Sequence, residues 1–228
     1  MELYVGTGGW EYFNAQGDKL AAYAKLFNFV EVNSTFYFNP SLKTVRTWRS
    51  RVPKDFEFSV KCNRIITHKY VMDLTAESIT QAEYTVRICQ LLRSGLAILQ
   101  TPASIEITSE RIRSWKPLID IFRENGITPV LEARSTVDKK AIDVMNELGI
   151  LSCIDLTSRE PVKSSDVLYS RLFGSGTARF KGFSDKEYIL IEQRLKSAEP
   201  KKAYLAFHGI QMYADALQFK RFSSQKVL

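Results

Sequence analysis

The stretch NFVEVNSTFYFNPSLKTVRTW, residues 28–48, decides how the rest of the chain is read. It begins as a buried strand, with Phe29, Val30 and Val32, yet sets Glu31 and Asn33 between the apolar residues. A polar–aromatic cluster follows, Thr35-Phe36-Tyr37-Phe38, closed by Asn39-Pro40, and then a run of helical periodicity over 41–50. Strand side chains alternate faces. Val30 and Val32 therefore share one side, and Glu31 and Asn33 share the other.

The same alternation of short β-branched or aromatic runs with longer helical ones continues along the chain, the pattern of βαβ units. Strands are expected at Leu3–Gly6, Phe29–Asn33, Phe56–Cys62, Leu96–Thr101, Thr128–Glu132, Leu151–Leu156, Leu168–Phe173 and Ala203–His208. Helices are expected near 18–27, 41–50, 76–94, 108–125, 137–148, 184–197 and 212–221. Gly95, Gly126 and Gly149 follow helical runs where a left-handed cap is favoured, and Ser184 with Glu187 has the spacing of a capping box. Eight strands with no break in composition predict an α/β protein, a single compact (β/α)8 TIM-type barrel occupying 1–228. A doubly wound open sheet is the alternative. The polar link LTSREPVKSSDV, 156–167, is too short for an ordinary crossover helix, so the β6–β7 connection is expected to be irregular.

Parity sorts the other strands as it sorted the second. Phe56, Phe58 and Val60 oppose Glu57, Ser59 and Lys61; Leu131 and Ala133 oppose Glu132 and Arg134; Leu172 opposes Arg171 and Phe173; Phe207 opposes Tyr204, Ala206 and His208. Helices clothe such a barrel, so the apolar parity points outward and the polar parity inward. The polar residues also fall late in their strands, at the carboxyl end where barrels build their sites. Glu31, Asn33, Lys61, Gln100, Glu132, Arg134, Asp155, Arg171 and His208 are thus the candidate site. Inward charges are costly unless paired or functional; a closed network that only plugs the barrel is the competing reading. Glu31, Glu132, Lys61 and His208 are the candidates for proton handling, and Lys61 equally for anchoring an anion. Arg134 and Arg171 offer planar forks for carboxylate or phosphate. Trp10, Phe36 and Tyr37 would supply a stacking wall, and His68 would reach over from its loop. GSGTARFKG, 174–182, adds Gly174 and Gly176, whose amides would face an anion beside Arg179 and Lys181.

Composition narrows the classes. The chain has 228 residues, 45% apolar and 25% charged, as in an ordinary globular protein. Its amino terminus lacks the charged-then-apolar pattern of a signal peptide, and no apolar run reaches the roughly 18 residues of a membrane span. A cytoplasmic protein is expected. Cys62, Cys89 and Cys153 are spaced for neither zinc nor a cluster, and the two histidines, His68 and His208, exclude a multi-histidine metal site. No nucleotide motif appears, so no cofactor or metal is expected. The net charge of +7 suits an anionic partner.

The ordered set GTGGW (6–10), VEVNSTFY (30–37), FSVKCNRIITH (58–68), LQTPASIE (99–106), LEARS (131–135) and YSRLFGSG (169–176) resembles the YecE-like family, domain of unknown function 72. The resemblance spans nearly the whole chain. It implies a TIM-type barrel and a site position but no reaction, and it marks Gly9, Trp10, Glu31, Asn33, Phe36, Tyr37, Lys61, Thr67, His68, Gln100, Pro102, Glu132, Arg134 and Arg171. Two places depart from the family pattern. Arg-x-His-Gly is usual where this chain has Arg171-Leu172-Phe173-Gly174, and Phe-Asn-Asn where it has Phe207-His208-Gly209. The functional expectation is a metal-independent hydrolase or lyase acting on an anionic or polyhydroxylated small molecule. A nucleic-acid binding or processing protein and a non-catalytic ligand-binding barrel are the alternatives.

Overall fold

The computed structural model describes residues 1–161, 166–176 and 181–224. Eight parallel strands follow one another in chain order and close into a barrel: β1 (Glu2–Thr7), β2 (Phe29–Val32), β3 (Glu57–Lys61), β4 (Leu96–Gln100), β5 (Thr128–Glu132), β6 (Leu151–Ile154), β7 (Val167–Leu172) and β8 (Lys202–Phe207). The expected (β/α)8 class is the observed one. An open sheet is ruled out because β1 pairs with β8 over its full length, from Glu2 opposite Lys202 to Thr7 opposite Phe207.

The helices start where side chains can take up the unpaired amides of the first turn. Asp18 caps α1 (Lys19–Tyr23), Ser41 caps α2 (Leu42–Ser50), and Thr75 with Ser78 boxes the start of α3 (Ala76–Leu92). The run read as one helix over 108–125 is two, α4 (Ser109–Ser114) and α5 (Lys116–Arg123). Pro117 lies in the first turn of α5, where its missing N–H costs least. The buried Trp115 ends one helix and begins the next. Asp138 caps α6 (Lys139–Glu147), Ser184 caps α7 (Asp185–Ala198), and α8 (Met212–Ser224) follows β8. Gly126 (φ 71°) and Gly149 (φ 63°) are left-handed as expected. After α3 that conformation falls on Arg93 (φ 58°) rather than on Gly95.

The chain divides into two compact units, Met1–Glu31 with Val52–Glu57 and Cys153–Leu228, and Val32–Arg51 with Phe58–Ser152. In the first, β1 lies between β8 and β2, β7 pairs with β8 from Val167–Lys202 to Leu172–Phe207, and the end of β6 pairs with β7. An aromatic cluster joins its strands: Tyr4 stacks on Tyr204 at 4.7 Å, and Phe29 meets Tyr169 and Tyr204 edge-on. Tyr23 of α1 is wholly buried. Its hydroxyl donates to Phe29 O (2.9 Å) and accepts from the Thr7 amide (2.9 Å), which fixes the helix to two strands. Burial pushes that phenol well above its ordinary range.

In the second unit β3 pairs with β4, β4 with β5 from Leu96–Thr128 to Gln100–Glu132, and β5 with the start of β6. Ala82, Val86, Cys89 and Leu92 of α3 and Leu118, Ile119 and Phe122 of α5 form its apolar layer. The three cysteines are buried and unbridged. In the link between β6 and β7 the described part, residues 155–161, is a turn with no helix; residues 162–165 lie outside the described set. Among the described residues no helix is long and apolar enough to cross a membrane.

Candidate functional site

The first unit holds an ion pair shielded from water. Glu31, third residue of β2, is fully buried, and Arg171, fifth residue of β7, is 3% exposed. Arg171 Nη2 donates to Glu31 Oε1 (3.0 Å) while its Nε lies 3.0 Å from Oε2, a two-point fork on the carboxylate. Tyr169, two residues earlier on the same face of β7, donates its hydroxyl to Oε2 at 2.9 Å. The carboxylate thus receives a buried cation and a buried phenol, the pairing that makes burying a charge tolerable.

His208 follows β8 and is 6% exposed. Arg171 Nε, shared with Glu31, also donates to His208 Nε2 at 3.1 Å. A guanidinium only donates, so Nε2 accepts and the ring proton sits on Nδ1. Nε2 also lies 3.8 Å from Glu31 Oε1. Two further contacts seat it. Its ring stacks on Phe173 at 4.8 Å and 21°, and a Cβ on Gly8 would come within 2.1 Å of Cε1. Gly8 is therefore obligatory for this ring position. Residues 173 and 208 succeed the paired Leu172 and Phe207, so Phe173 and His208 stand side by side after β7 and β8.

The second unit carries the other strand-end charges. Lys61 closes β3 and is 5% exposed, with Nζ 4.1 Å from the centre of the Phe36 ring. Phe36 stands in a 3-10 turn, Ser34–Phe36, directly after β2. The Thr35 hydroxyl bonds Val32 O (2.8 Å) and Lys61 O (2.6 Å), tying that turn to the end of β3. His68 lies in a π-helical turn, Ile65–Lys69, with its ring edge-on to Phe36 at 5.0 Å and Nδ1 2.8 Å from the Thr67 hydroxyl. Partial burial, and then the charges of Lys61, Arg134 and Arg64, hold its pKa below the ordinary value, against a smaller opposite pull from Glu132. Glu132 itself closes β5, accepts from Gln100 Nε2 at 2.6 Å, and has Arg134 Nε 3.7 Å away.

The structure thus brings Glu31, Arg171 and His208 together in one unit, and Lys61, Phe36, His68, Gln100, Glu132 and Arg134 in the other. Asn33 caps the turn after β2, with its side-chain oxygen buried and lacking a hydrogen-bond partner. Tyr37 stands out into solvent at 68% exposure, while Trp10 is buried. Asp155 has local work: Oδ1 accepts from the Thr157 amide and hydroxyl, and Oδ2 from the Phe173 amide (2.9 Å). The Ser175 amide in the glycine-rich loop meets a carboxylate, Glu187 Oε1, at 2.8 Å. Arg179 of that loop lies outside the described residues. Tyr169 and Gly8 were missed, although Tyr169 shares the parity of Arg171 and Gly8 belongs to GTGGW. Among the described residues no group of three or more His, Cys, Asp or Glu is arranged to hold a metal ion.

Comparison with known proteins agrees with this architecture. A DUF72 family protein from Thermotoga maritima superposes with a TM-score of 0.77 at 20% identity, over 98% of this chain and 100% of that one. One from Enterococcus faecalis gives 0.77 at 16% identity, over 98% of each. A D-psicose 3-epimerase shares the fold at 0.65 and 12% identity, over 98% of each. The Escherichia coli protein described as UPF0759 protein YecE is 31% identical over 106 residues, which is 45% of this chain and 38% of that protein. The chain belongs to the family described as protein of unknown function DUF72, whose model matches residues 4–227.

Proposed function

We propose that the chain is an enzyme, of hydrolase or lyase type, acting on an anionic or polyhydroxylated small molecule, with His208 as its proton-transferring group. The observation that carries this reading is the imidazole attached to an ion pair that already has a phenol and a guanidinium on its carboxylate. Glu31, Arg171 and Tyr169 already satisfy one another. A plug whose task was stability would end there. Instead Arg171 Nε also holds His208, and Gly8 gives up a side chain to admit the ring.

The ordinary pKa of an imidazole lies closer to neutral pH than that of any other side chain. With Nε2 accepting from Arg171, the Nδ1–H is the proton this ring can give, and taking one up requires Arg171 Nε to turn wholly to Glu31. In this reading Glu31 and Arg171 position the ring and fix its tautomer. The substrate would meet His208 at the carboxyl ends of β7 and β8, because barrel enzymes build their sites from such strand ends. One protein sharing the fold is described as a D-psicose 3-epimerase in the presence of D-fructose. At that identity only the fold is common, but ketohexoses belong in the substrate panel.

The test is an NMR screen of ketohexoses, sugar acids and sugar phosphates for product formation, with and without added divalent cations, by wild type and His208→Asn. Turnover should fall by about two orders of magnitude or more in the variant. The wild-type pH–rate profile should show a limb that the variant lacks. A variant that retains wild-type turnover and profile would sink the assignment.

A further inference from the structure

The region around His68 collects features that the proton-transfer reading leaves unused. After Lys61 the chain makes a π-helical turn, a form often found at functional positions. Asn63 braces it: its Oδ1 accepts from the Ile65 amide (3.0 Å) and its Nδ2 donates to Thr35 O (3.3 Å). The turn leaves through Val71 (φ 49°) and Met72 (φ 65°), both in the left-handed region without being glycine. Such backbone costs on the order of 1–3 kcal/mol per residue and persists where the surroundings impose it. The outcome is a fixed His68 ring, edge-on to Phe36, with Nδ1 occupied by the Thr67 hydroxyl and Nε2 as its remaining nitrogen.

Lys61 Nζ stands 4.1 Å over the Phe36 ring that the His68 ring meets edge-on at 5.0 Å, and the charges of Lys61, Arg134 and Arg64 act on the imidazole against that of Glu132. Glu132 is already engaged by Gln100 and lies near Arg134. Lys61 is buried against the Phe36 ring and Arg134 is half exposed, which sets positive charge beside a ring nitrogen that can donate.

We propose that the His68 turn is an oxyanion site, in which His68 Nε2–H and the Arg134 fork take the phosphoryl or carboxylate group of a small ligand and Lys61 and Arg64 add charge. The site lies within the second unit, and its occupation does not depend on the role of His208. Binding strengthens as the pH falls through the His68 titration, since the bound anion favours the imidazolium that the neighbouring cations disfavour in the free protein.

Two histidines make the test direct, because a protein labelled with carbon-13 at histidine Cε1 gives two resonances, assigned with His208→Asn. Inorganic phosphate and acetate are titrated separately at constant ionic strength, with chloride as the control. The His68 signal should shift saturably with at least one oxyanion, and its titration midpoint should rise. Arg134→Gln should weaken that binding about tenfold, the scale of one charge-assisted hydrogen bond. Response to phosphate alone identifies a phosphoryl ligand; response to acetate identifies a carboxylate. Equal shifts with chloride, no saturable shift at tens of millimolar, or unaltered affinity in Arg134→Gln would each overturn the proposal. None of these outcomes bears on turnover, so this site and the role of His208 stand or fall separately.

Discussion

At the residue scale the decisive object is the Glu31 carboxylate. It sits at zero exposure with a guanidinium and a phenol on its two oxygens. Removing the charge from one member of such a pair leaves the other buried and uncompensated, which typically costs 3–5 kcal/mol. Glu31→Gln is therefore expected to lower the unfolding free energy by about that much in urea titrations. Glu31→Gln combined with Arg171→Met should recover a large part of the loss, because the stranded cation is gone. A double variant less stable than the single would show that the pair is not the coupled unit described. Parity alone marked both partners, since alternation is a property of the strand itself. It could not show that the Arg171 fork is filled by Glu31, because that pairing joins residues 140 positions apart in sequence. Nor could parity show that Asp155 accepts from the Thr157 and Phe173 amides. A carboxylate near a strand end looks the same in sequence whether it faces a ligand or accepts from its own turn.

At the element scale the strands were legible to within one or two residues and the caps almost as well, because both follow local chemistry. The turns that position Phe36 and His68 were not. A 3-10 turn of three residues and a π turn of five are too short to show an apolar period. The break at Trp115 was readable in principle from Pro117. The capping box of α7 was readable, but its reach was not. Glu187 Oε2 accepts from the Ser184 amide and hydroxyl, and Oε1 from the Ser175 amide and hydroxyl, so one carboxylate joins the helix start to the loop after β7. Burial raises its pKa, but these hydrogen bonds outweigh burial and hold it below the ordinary value. A depressed carboxylate contributes stability above the pKa of the unfolded chain and loses it as the pH falls through the folded value. Glu187→Ala is thus expected to cost about 1 kcal/mol at neutral pH, and the gap to wild type should narrow in acid below the ordinary glutamate range. Urea denaturation of both proteins along a pH series reads this directly, and a gap that widens in acid would contradict it.

At the scale of the whole molecule, the closing pairing of β1 with β8 sets the fold. Each strand of a parallel barrel has two neighbours, and β8 supplies one to β1 and one to β7, over six residue pairs each. Sequence periodicity predicts eight strands without saying that the last meets the first; closure followed from the strand count together with the tendency of such repeats to form barrels. Shielded from solvent on this seam are Tyr204, stacked between Tyr4 and Tyr169, and His208, whose amide donates to Leu172 O at 2.8 Å. A chain ending at Pro200 would lose β8 and α8 and leave the inward aromatic residues of β1 and β7 without their cover. It would also present two unpaired parallel edges, which templates association with other chains. Such a truncation is expected to accumulate in the insoluble fraction, and any soluble part should lack a cooperative thermal transition by circular dichroism. Supplying residues 201–228 as a separate polypeptide during refolding should restore solubility if edge pairing is the missing element. A truncated chain that melts cooperatively on its own would show that closure through β8 is not what holds these strands.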